Sequence, residues 1–202
     1  MRAVRSHLRV DALTPTLPDL LREGLDVLFV GINPSLFSVA VGHYFARPTN
    51  RFWPCFSRSR LSRKVRQALD LEKLEPAHDH VLLDHGFGFT DLVKRATAKA
   101  AELSAQEMAA GVTDLLAKIG RFTPRIACFH GVTAYRPFHD ATIANNSVKA
   151  TLPLGLQSPQ LGRTRLFVVP NPSPANAHFT PEDQTRWYDQ LAMCLAEAAI
   201  DG

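Results

Sequence analysis

Short apolar runs separated by longer amphipathic segments dominate the hydrophobic pattern of the chain. Residues 25–30 form a branched apolar run closed by Gly31 and Pro34, which is typical of a strand buried on both faces. The same signal predicts strands at residues 81–83, 125–129 and 166–170. Residues 145–162 are polar and punctuated by Pro and Gly, so the pattern predicts an irregular excursion there.

Amphipathic repeats between these runs predict the helices. Ser104 and Glu107 form a capping box before a helix that we expect to stop near Gly120 and Pro124. Shorter helices are predicted over residues 50–61 and 131–139. Thr180 and Pro181 mark the start of the last helix. Its predicted buried stripe comprises Trp187, Leu191, Leu195 and Ala198.

Strands that alternate with helices indicate an α/β fold with a central, mostly parallel sheet covered on both faces. We therefore predict a three-layer α/β/α sandwich. One domain spans residues 1–202, with residues 1–24 as a peripheral N-terminal extension. Ligands of such sheets bind at the carboxyl ends of the strands, here the segments that begin at Gly31, Gly86, His130 and Pro170.

Composition excludes several classes of protein. No apolar run approaches the length of a membrane span, and no apolar segment follows the basic start of the chain, so we expect a cytoplasmic protein. Its three cysteines have no paired spacing, its histidines no HExxH spacing and its loops no GxGxxG or P-loop pattern. The sequence therefore carries no signal for a metal or a cofactor.

The formal charge of +4 is mild, but basic residues are concentrated between positions 47 and 66. Arg47, Arg51, Arg58, Arg60, Arg63, Lys64 and Arg66 belong to this cluster. Such a cluster suits either a solvated helix face or a phosphate-binding face. Charge alone does not decide between these interpretations.

Four segments in the predicted loops carry the clearest motifs: GINPS at 31–35 with GHYFARPTNRFW at 42–53, GFGFTDLVKRAT at 86–97, GVTAY at 131–135 and NPSPANA at 171–177. In this order they resemble the motifs of the mismatch-specific uracil-DNA glycosylase and thymine-DNA glycosylase family. The resemblance implies a monofunctional enzyme, without a cofactor, that flips uracil out of double-stranded DNA, from G:U mismatches and other pairs, and hydrolyses its N-glycosidic bond. It also implies an α/β/α sandwich, and we expect a monomer.

The resemblance assigns roles to residues of the first two motifs. Asn33 holds the place of the asparagine that positions the attacking water, and Phe45 that of the aromatic ring that stacks on the flipped base. Backbone N–H groups around Ile32 and Phe45 would bind the departing base, and Ser38 matches a residue of the base pocket. Each has an ordinary structural alternative: Asn33 as a turn residue, Phe45 as part of the core and Ser38 as a solvated loop residue.

Asp91 is a second candidate catalytic residue. A carboxylate at the mouth of the pocket can accept a proton from water or stabilise a cationic sugar, whereas an amide such as Asn33 can only orient the water. Alternatively, Asp91 caps a helix through residues 92–93 or pairs with Lys94 or Arg95. We hypothesise that Asp91 is the principal base or cation stabiliser.

The remaining motif residues are candidates for contact with DNA: Asn50, Arg51, Asn171, Ser173, Pro174, Ala175 and Asn176. The family inserts a wedge into the base stack, and Ala175 and Ala177 stand at its positions here. A methyl group buries little surface between bases, so we expect weak discrimination of the opposing base. Two alternatives stay open: a damage-sensing DNA-binding member of the same superfamily with weak activity or another lesion preference, and a small-molecule hydrolase on the same sheet.

Overall fold

The computed structural model describes residues 16–143 and 151–197. Its single sheet has the order β2-β1-β3-β5-β4. The strands are β1 (Val27–Gly31), β2 (Phe87–Asp91), β3 (Ile126–His130), β4 (Gly155–Leu161) and β5 (Thr164–Val169). All neighbours are parallel except β4 and β5. The predicted mostly parallel α/β architecture is confirmed.

Helices cover both faces of this sheet. They are α1 (Leu36–Val41), α2 (Phe52–Arg58), α3 (Arg63–Ala68), α4 (Asp79–Leu82), α5 (Ala105–Phe122), α6 (Val132–Thr142) and α7 (Pro181–Glu197). Three short 3₁₀ helices, Pro76–His78, Leu83–His85 and Ala100–Glu102, lie between them. None of the described helices is long and apolar enough to cross a membrane.

Alternation along the strands divides the core into two layers. In β1, Val27 and Phe29 pack with α2 and α7, while Leu28 and Val30 pack with α5 and α6. Successive side chains of a strand point to opposite faces of the sheet, so an entirely apolar strand is buried on both faces. The five residues of β1 are all buried, as its apolar run predicts.

The predicted capping signals of the long helices are confirmed. The Ser104 hydroxyl accepts from the Glu107 backbone N–H, and Glu107 accepts from that of Ser104. Thr180 and Asp183 make the equivalent exchange before α7. Within the predicted stripe of α7, Leu191 is buried and Trp187 and Leu195 are half-buried, whereas Ala198 lies outside the described residues.

The strand predicted at 81–83 is wrong. Those residues belong to α4 and to the following 3₁₀ turn, which ends at Gly86 with a left-handed φ of 83°. Strand β2 instead runs through the glycine-rich segment. A glycine is needed at position 88 of this strand, because a Cβ there would lie 2.5 Å from the Leu25 side chain. Gly86 therefore stands at the amino end of β2, and Asp91 is the residue at its carboxyl end.

Two peripheral segments also differ from the predictions. Within the stretch predicted as an irregular excursion, β4 forms an antiparallel edge strand, a position that tolerates Pro159 because one side of the strand makes no ladder. Residues 144–150 lie outside the described residues. Residues 16–24 are not a peripheral extension, because Leu17 and Leu20 are buried and Leu20 exchanges two backbone hydrogen bonds with Phe89.

Candidate active site

A cavity of about 180 Å³ opens at the carboxyl ends of β1, β2 and β3, beside the loop that follows β5. Tyr44, Arg47 and Thr97 are part of its lining. It also brings together most of the predicted site residues, namely Ile32, Asn33, Ser38, Phe45, Asn50, Asp91, Asn171, Ser173 and Pro174. Arg51, Ala175 and Asn176 are not among its lining residues. Loops far apart in sequence meet here because parallel strands end at the same edge of the sheet.

Asp91 is held in close contact with the neighbouring strand. It pairs in register with Gly31, and a Cβ at Gly31 would lie 2.3 Å from the Asp91 Oδ1 atom. Only a glycine therefore lets the carboxylate lie over β1 in this position. The same built Cβ would lie 3.8 Å from the ring of Phe45, so the carboxylate and the aromatic ring share this corner of the cavity.

The Asp91 carboxyl group is buried without a full set of partners. The residue is 4% exposed, and its Oδ2 atom has no hydrogen-bond partner among the described residues. Burial raises the pKa of Asp91 to about 7, with Asp19 acting in the same direction and Lys94 and Lys118 against it. The carboxyl group therefore changes protonation near neutral pH.

Neither structural alternative for Asp91 is observed. The residue ends a strand, and residues 92–93 continue as a loop whose N–H groups bond to the carbonyls of Gly31 and Ile32. Lys94 and Arg95 form their ion pairs with Asp19 and Glu107. Asp91 is therefore not a helix cap, and it belongs to no salt bridge within residues 16–143 and 151–197.

Behind the cavity, Asp19 joins two lysines. Its carboxylate oxygens each lie 2.7 Å from an ammonium, Oδ1 from Lys94 and Oδ2 from Lys118, and Thr90 donates to Oδ1. Burial acts to raise the pKa of Asp19, but the two lysines outweigh it and hold this pKa below its ordinary value. The net charge of this group beside Asp91 is positive.

Asn33 ties two loops together. Its Nδ2 atom donates to the Thr97 hydroxyl at 2.7 Å and to the carbonyls of Arg95 and Pro34 at 3.0 and 3.3 Å. These contacts fix the amide plane against the segment after β2. Within the described residues the side chain bonds only through Nδ2, which leaves its Oδ1 atom as an acceptor.

The turn at Phe45 is braced from several directions. Phe45 has a left-handed φ of 52°, and its ring stacks on Phe52 with centroids 4.5 Å apart. The Tyr44 carbonyl accepts from the Trp53 indole, and the Tyr44 N–H donates to Asp79. An unfavourable backbone conformation persists only where its surroundings impose it, and these contacts do so.

Ser38 is buried rather than solvated. Its hydroxyl accepts from the Ala46 N–H at 3.3 Å and from the Ser35 hydroxyl at 3.0 Å. Ser35 is also the N-cap of α1, accepting from the Ser38 N–H. The two serines therefore connect the loop after β1 to the Phe45 turn.

The loop after β5 is held by its own asparagines and by Arg51. The Asn171 side chain accepts from the Ser173 N–H, and the Asn176 amide donates to the Asn171 carbonyl. The Arg51 guanidinium donates to three backbone carbonyls of this loop, those of Ser173, Asn176 and Phe179. Pro174 and Ala175 are left exposed at its tip.

Asn50 and the basic cluster have distinct placements. Asn50 accepts from the N–H of Phe52, the first residue of α2, although the N-cap position itself is held by Arg51. Arg47 reaches the candidate cavity, whereas Arg60 and Lys64 line a different cavity at the amino ends of the strands. The basic cluster therefore does not form one phosphate-binding face.

His130 is a cavity residue that sequence reasoning missed. The last residue of β3, it is buried, its Nε2 atom lies 3.1 Å from the Tyr188 hydroxyl, and its Nδ1 atom has no partner among the described residues. Burial lowers the pKa of His130 to about 3, with the nearby Val30 backbone acting in the opposite direction, so the ring is neutral. The only signal in the sequence was its position directly after a buried strand.

Comparison with known families agrees with this arrangement. A sequence model of the uracil DNA glycosylase superfamily matches residues 18–192. The match begins directly after Leu17 and ends within α7, so it covers all five strands and all lining residues of the cavity except Leu17.

Proposed function

Because this chain belongs to the uracil-DNA glycosylase superfamily, we propose that it is a monofunctional DNA glycosylase of the mismatch-specific type. Its substrate in this proposal is double-stranded DNA with uracil opposite guanine or in other pairs. The protein acts as a monomer in the cytoplasm. It releases the flipped base by hydrolysis, as a step of base excision repair.

One observation carries the proposal: the carboxyl group of Asp91 is buried in a small cavity with a pKa of about 7, and its Oδ2 atom finds no partner in the described part of the chain. A group that titrates near neutral pH is well suited to take a proton there. The stacked ring of Phe45 beside it offers an apolar surface for a flat base. This combination suits the hydrolysis of an N-glycosidic bond.

In the proposed reaction, the Asn33 Oδ1 atom and the Asp91 carboxylate orient a water molecule towards the sugar. The water oxygen bonds to C1′, its proton passes to Asp91, and the C1′–N bond breaks with its electrons leaving on the base. Backbone N–H groups of Ile32 and Phe45 stabilise the resulting anion at its oxygens. The negative charge of Asp91 also stabilises the cationic sugar that precedes bond formation.

His130 has a supporting role in this proposal. As a neutral ring with an unpartnered Nδ1 atom, it presents one hydrogen-bonding group without a charge. Its ring centroid lies 4.8 Å from that of Phe45. A neutral ring at this point can form a hydrogen bond to the base, and it binds water less strongly than a charged ring would.

Contact with DNA is assigned to the exposed tip of the loop after β5. Arg51 positions this loop through three carbonyls, and Asn171 and Asn176 set its shape. Ala175 and Ala177 provide only methyl groups at the wedge positions. We therefore expect opposite-base preference to be weak, and a strong preference for guanine over adenine opposite uracil would contradict this part of the proposal.

The test is single-turnover release of uracil from matched duplexes that contain uracil opposite guanine or adenine. Wild type, Asn33→Ala and Asp91→Ala are compared at enzyme excess. Release by wild type that collapses in Asp91→Ala supports Asp91 as the proton acceptor. Collapse only in Asn33→Ala would instead support a mechanism in which Asn33 positions the water and Asp91 is not needed.

Absence of release by wild type would contradict the glycosylase proposal. Binding to damaged duplexes measured in the same preparation then separates the alternatives. Tight binding without release identifies a damage-sensing member of the superfamily with another lesion preference. No binding to any duplex would favour a hydrolase of small molecules.

A further inference from the structure

Outside the cavity, three potential metal ligands converge beside α4. Asp79 is the first residue of this helix and His80 the second, and His43 lies in the loop after α1. The His43 Nδ1 atom lies 3.0 Å and the His80 Nε2 atom 3.7 Å from the Asp79 Oδ1 atom. One ligand atom from each residue lies within 4.8 Å of the others.

We propose that His43, Asp79 and His80 form a binding site for a divalent transition metal, with Zn²⁺ as the best fit. Sequence spacing gave no sign of it, because His43 and Asp79 are 36 residues apart. Two imidazoles and one carboxylate form a ligand set that zinc uses with a fourth position open to water. Imidazole donors favour Zn²⁺, Cu²⁺ and Ni²⁺ over Mg²⁺ and Ca²⁺.

The separations suit a tetrahedral ion. Bonds of about 2.0–2.1 Å at a tetrahedral angle place neighbouring ligand atoms about 3.4 Å apart. The observed 3.0 and 3.7 Å lie on either side of that value. All three ligand atoms lie within 4.8 Å of one another, so small shifts bring them to these separations, and the His80 side chain, 56% exposed, has room to move.

Asp79 is prepared to act as a ligand. Its side chain is 1% exposed, its Oδ2 atom accepts from the Tyr44 N–H at 2.9 Å, and its Oδ1 atom accepts from the His80 N–H at 2.8 Å. Hydrogen bonds of this kind fix the orientation of a metal-bound carboxylate. A metal would replace the His43 hydrogen bond at Oδ1 and leave both backbone contacts in place.

The site is coupled to the Phe45 turn through the backbone. Asp79 holds Tyr44 directly, and Phe45 follows in its left-handed conformation. A bound metal would join α4 to this turn by coordination bonds, where the metal-free protein has the single hydrogen bond between His43 and Asp79. We expect it to stabilise the folded protein without taking part in the proposed reaction.

The test is thermal unfolding and calorimetric titration of chelator-treated protein with ZnCl₂, which needs no enzymatic activity. Wild type should bind one Zn²⁺, and at about 100 times Kd the unfolding midpoint should rise by roughly 5–10 °C. MgCl₂ should have no effect. His80→Ala should fold normally and lose at least tenfold in zinc affinity, because within the described residues the ion pair and the ring contact recorded for its side chain both lie inside this cluster.

His85→Ala is the matched control, since His85 lies in the same region of sequence but lines the cavity at the other end of the sheet. The three cysteines are all buried, which keeps them from competing for the ion. No zinc binding by wild type, or equal binding by His80→Ala and His85→Ala, would overturn the proposal. Failure of the uracil-release assay would leave this result unaffected.

Discussion

The two ends of the sheet each carry a cavity, and they differ in how their charged groups are partnered. The amino-end cavity is the larger, about 520 Å³ against about 180 Å³ at the carboxyl end. In it, Asp26 is partly exposed and paired with Arg125 at 3.0 Å. At the carboxyl end, Asp91 and His130 are buried, each with an atom that has no partner among the described residues. The larger cavity is thus at the amino end of the sheet, whereas the buried groups without partners are at the carboxyl end.

Unsatisfied buried polar atoms destabilise a folded protein by roughly 1–3 kcal/mol each, so their presence at one site calls for an explanation. A substrate or a water that bonds to them when the cavity is occupied supplies it. The paired carboxylate of Asp26 has no comparable need. This contrast favours the smaller cavity as the functional site and makes the two aspartates a matched pair for experiment.

The largest expected effect is that of Asp91→Asn. Removing the proton acceptor should lower the single-turnover rate of uracil release by roughly 10²–10⁴-fold. The free energy of unfolding near pH 8 should not fall, because the variant no longer buries a charge. Asp26→Asn should behave in the opposite way, with the rate unchanged and stability reduced. If both variants lose rate equally, the distinction between the two ends fails.

The second largest effect is expected from Gly31→Ala, because the added methyl group displaces the Asp91 carboxylate sterically. A Cβ at Gly31 would overlap the Asp91 Oδ1 atom, so the carboxylate or the strand has to move. We expect a loss of about 1–3 kcal/mol in the free energy of unfolding, typical of overpacking, and a clear loss of uracil release.

Gly120→Ala is its control. Gly120 lies in α5 with nothing within 4 Å of a built Cβ. It should be neutral or stabilising by up to about 1 kcal/mol, with normal activity. Full activity in Gly31→Ala would show that the position of the Asp91 carboxylate is not critical.

Local patterns predicted much of this site, and their failures have identifiable causes. The apolar run of β1 and the motifs around Asn33 and Phe45 were placed correctly because their residues are contiguous. The strand that carries Asp91 was misplaced, since Gly86 and Gly88 interrupt its apolar pattern. A glycine is needed in that strand because a Cβ at position 88 would overlap the Leu25 side chain, a tertiary contact that no local pattern contains.

Contacts between distant segments were not predicted. Arg51 was assigned to contact with DNA, which stays a prediction, and the structure adds that its guanidinium binds carbonyls more than 120 positions away along the chain. The unpartnered atom of His130 and the meeting of His43 with Asp79 also depend on packing. Sequence indicates which loops carry chemistry, and packing determines what each side chain does there.

A smaller effect is expected from pH, through Asp91. Its pKa is raised from 3.8 to about 7 in the folded protein. The folded state therefore binds this proton more tightly than the unfolded state, so Asp91 makes the protein less stable as pH rises through that interval. The rate, which needs the carboxylate, should rise about tenfold per pH unit below 7 and level off above it. His130 stays neutral throughout, its pKa being about 3.

Asp19→Asn sharpens this prediction. It removes a negative charge that raises the pKa of Asp91 and leaves Lys94 and Lys118, which lower it. The inflection of the rate profile should therefore move to lower pH, while the plateau rate stays similar. An inflection that moves to higher pH, or does not move in a folded variant, would show that Asp91 does not set the profile.

The smallest effect, and the most diagnostic for the loop after β5, is the salt dependence of DNA binding. Each phosphate contact contributes about 0.9 to the slope of log K against log salt concentration. Arg51 is committed to three carbonyls, whereas Arg47 is exposed at the rim of the cavity. Arg47→Ala should therefore reduce the slope by about one unit, and Arg51→Ala should weaken binding with the slope unchanged. A reduced slope in Arg51→Ala would instead restore direct phosphate contact by this residue, and the carboxyl end of the sheet would then carry both chemistry and charge-driven binding.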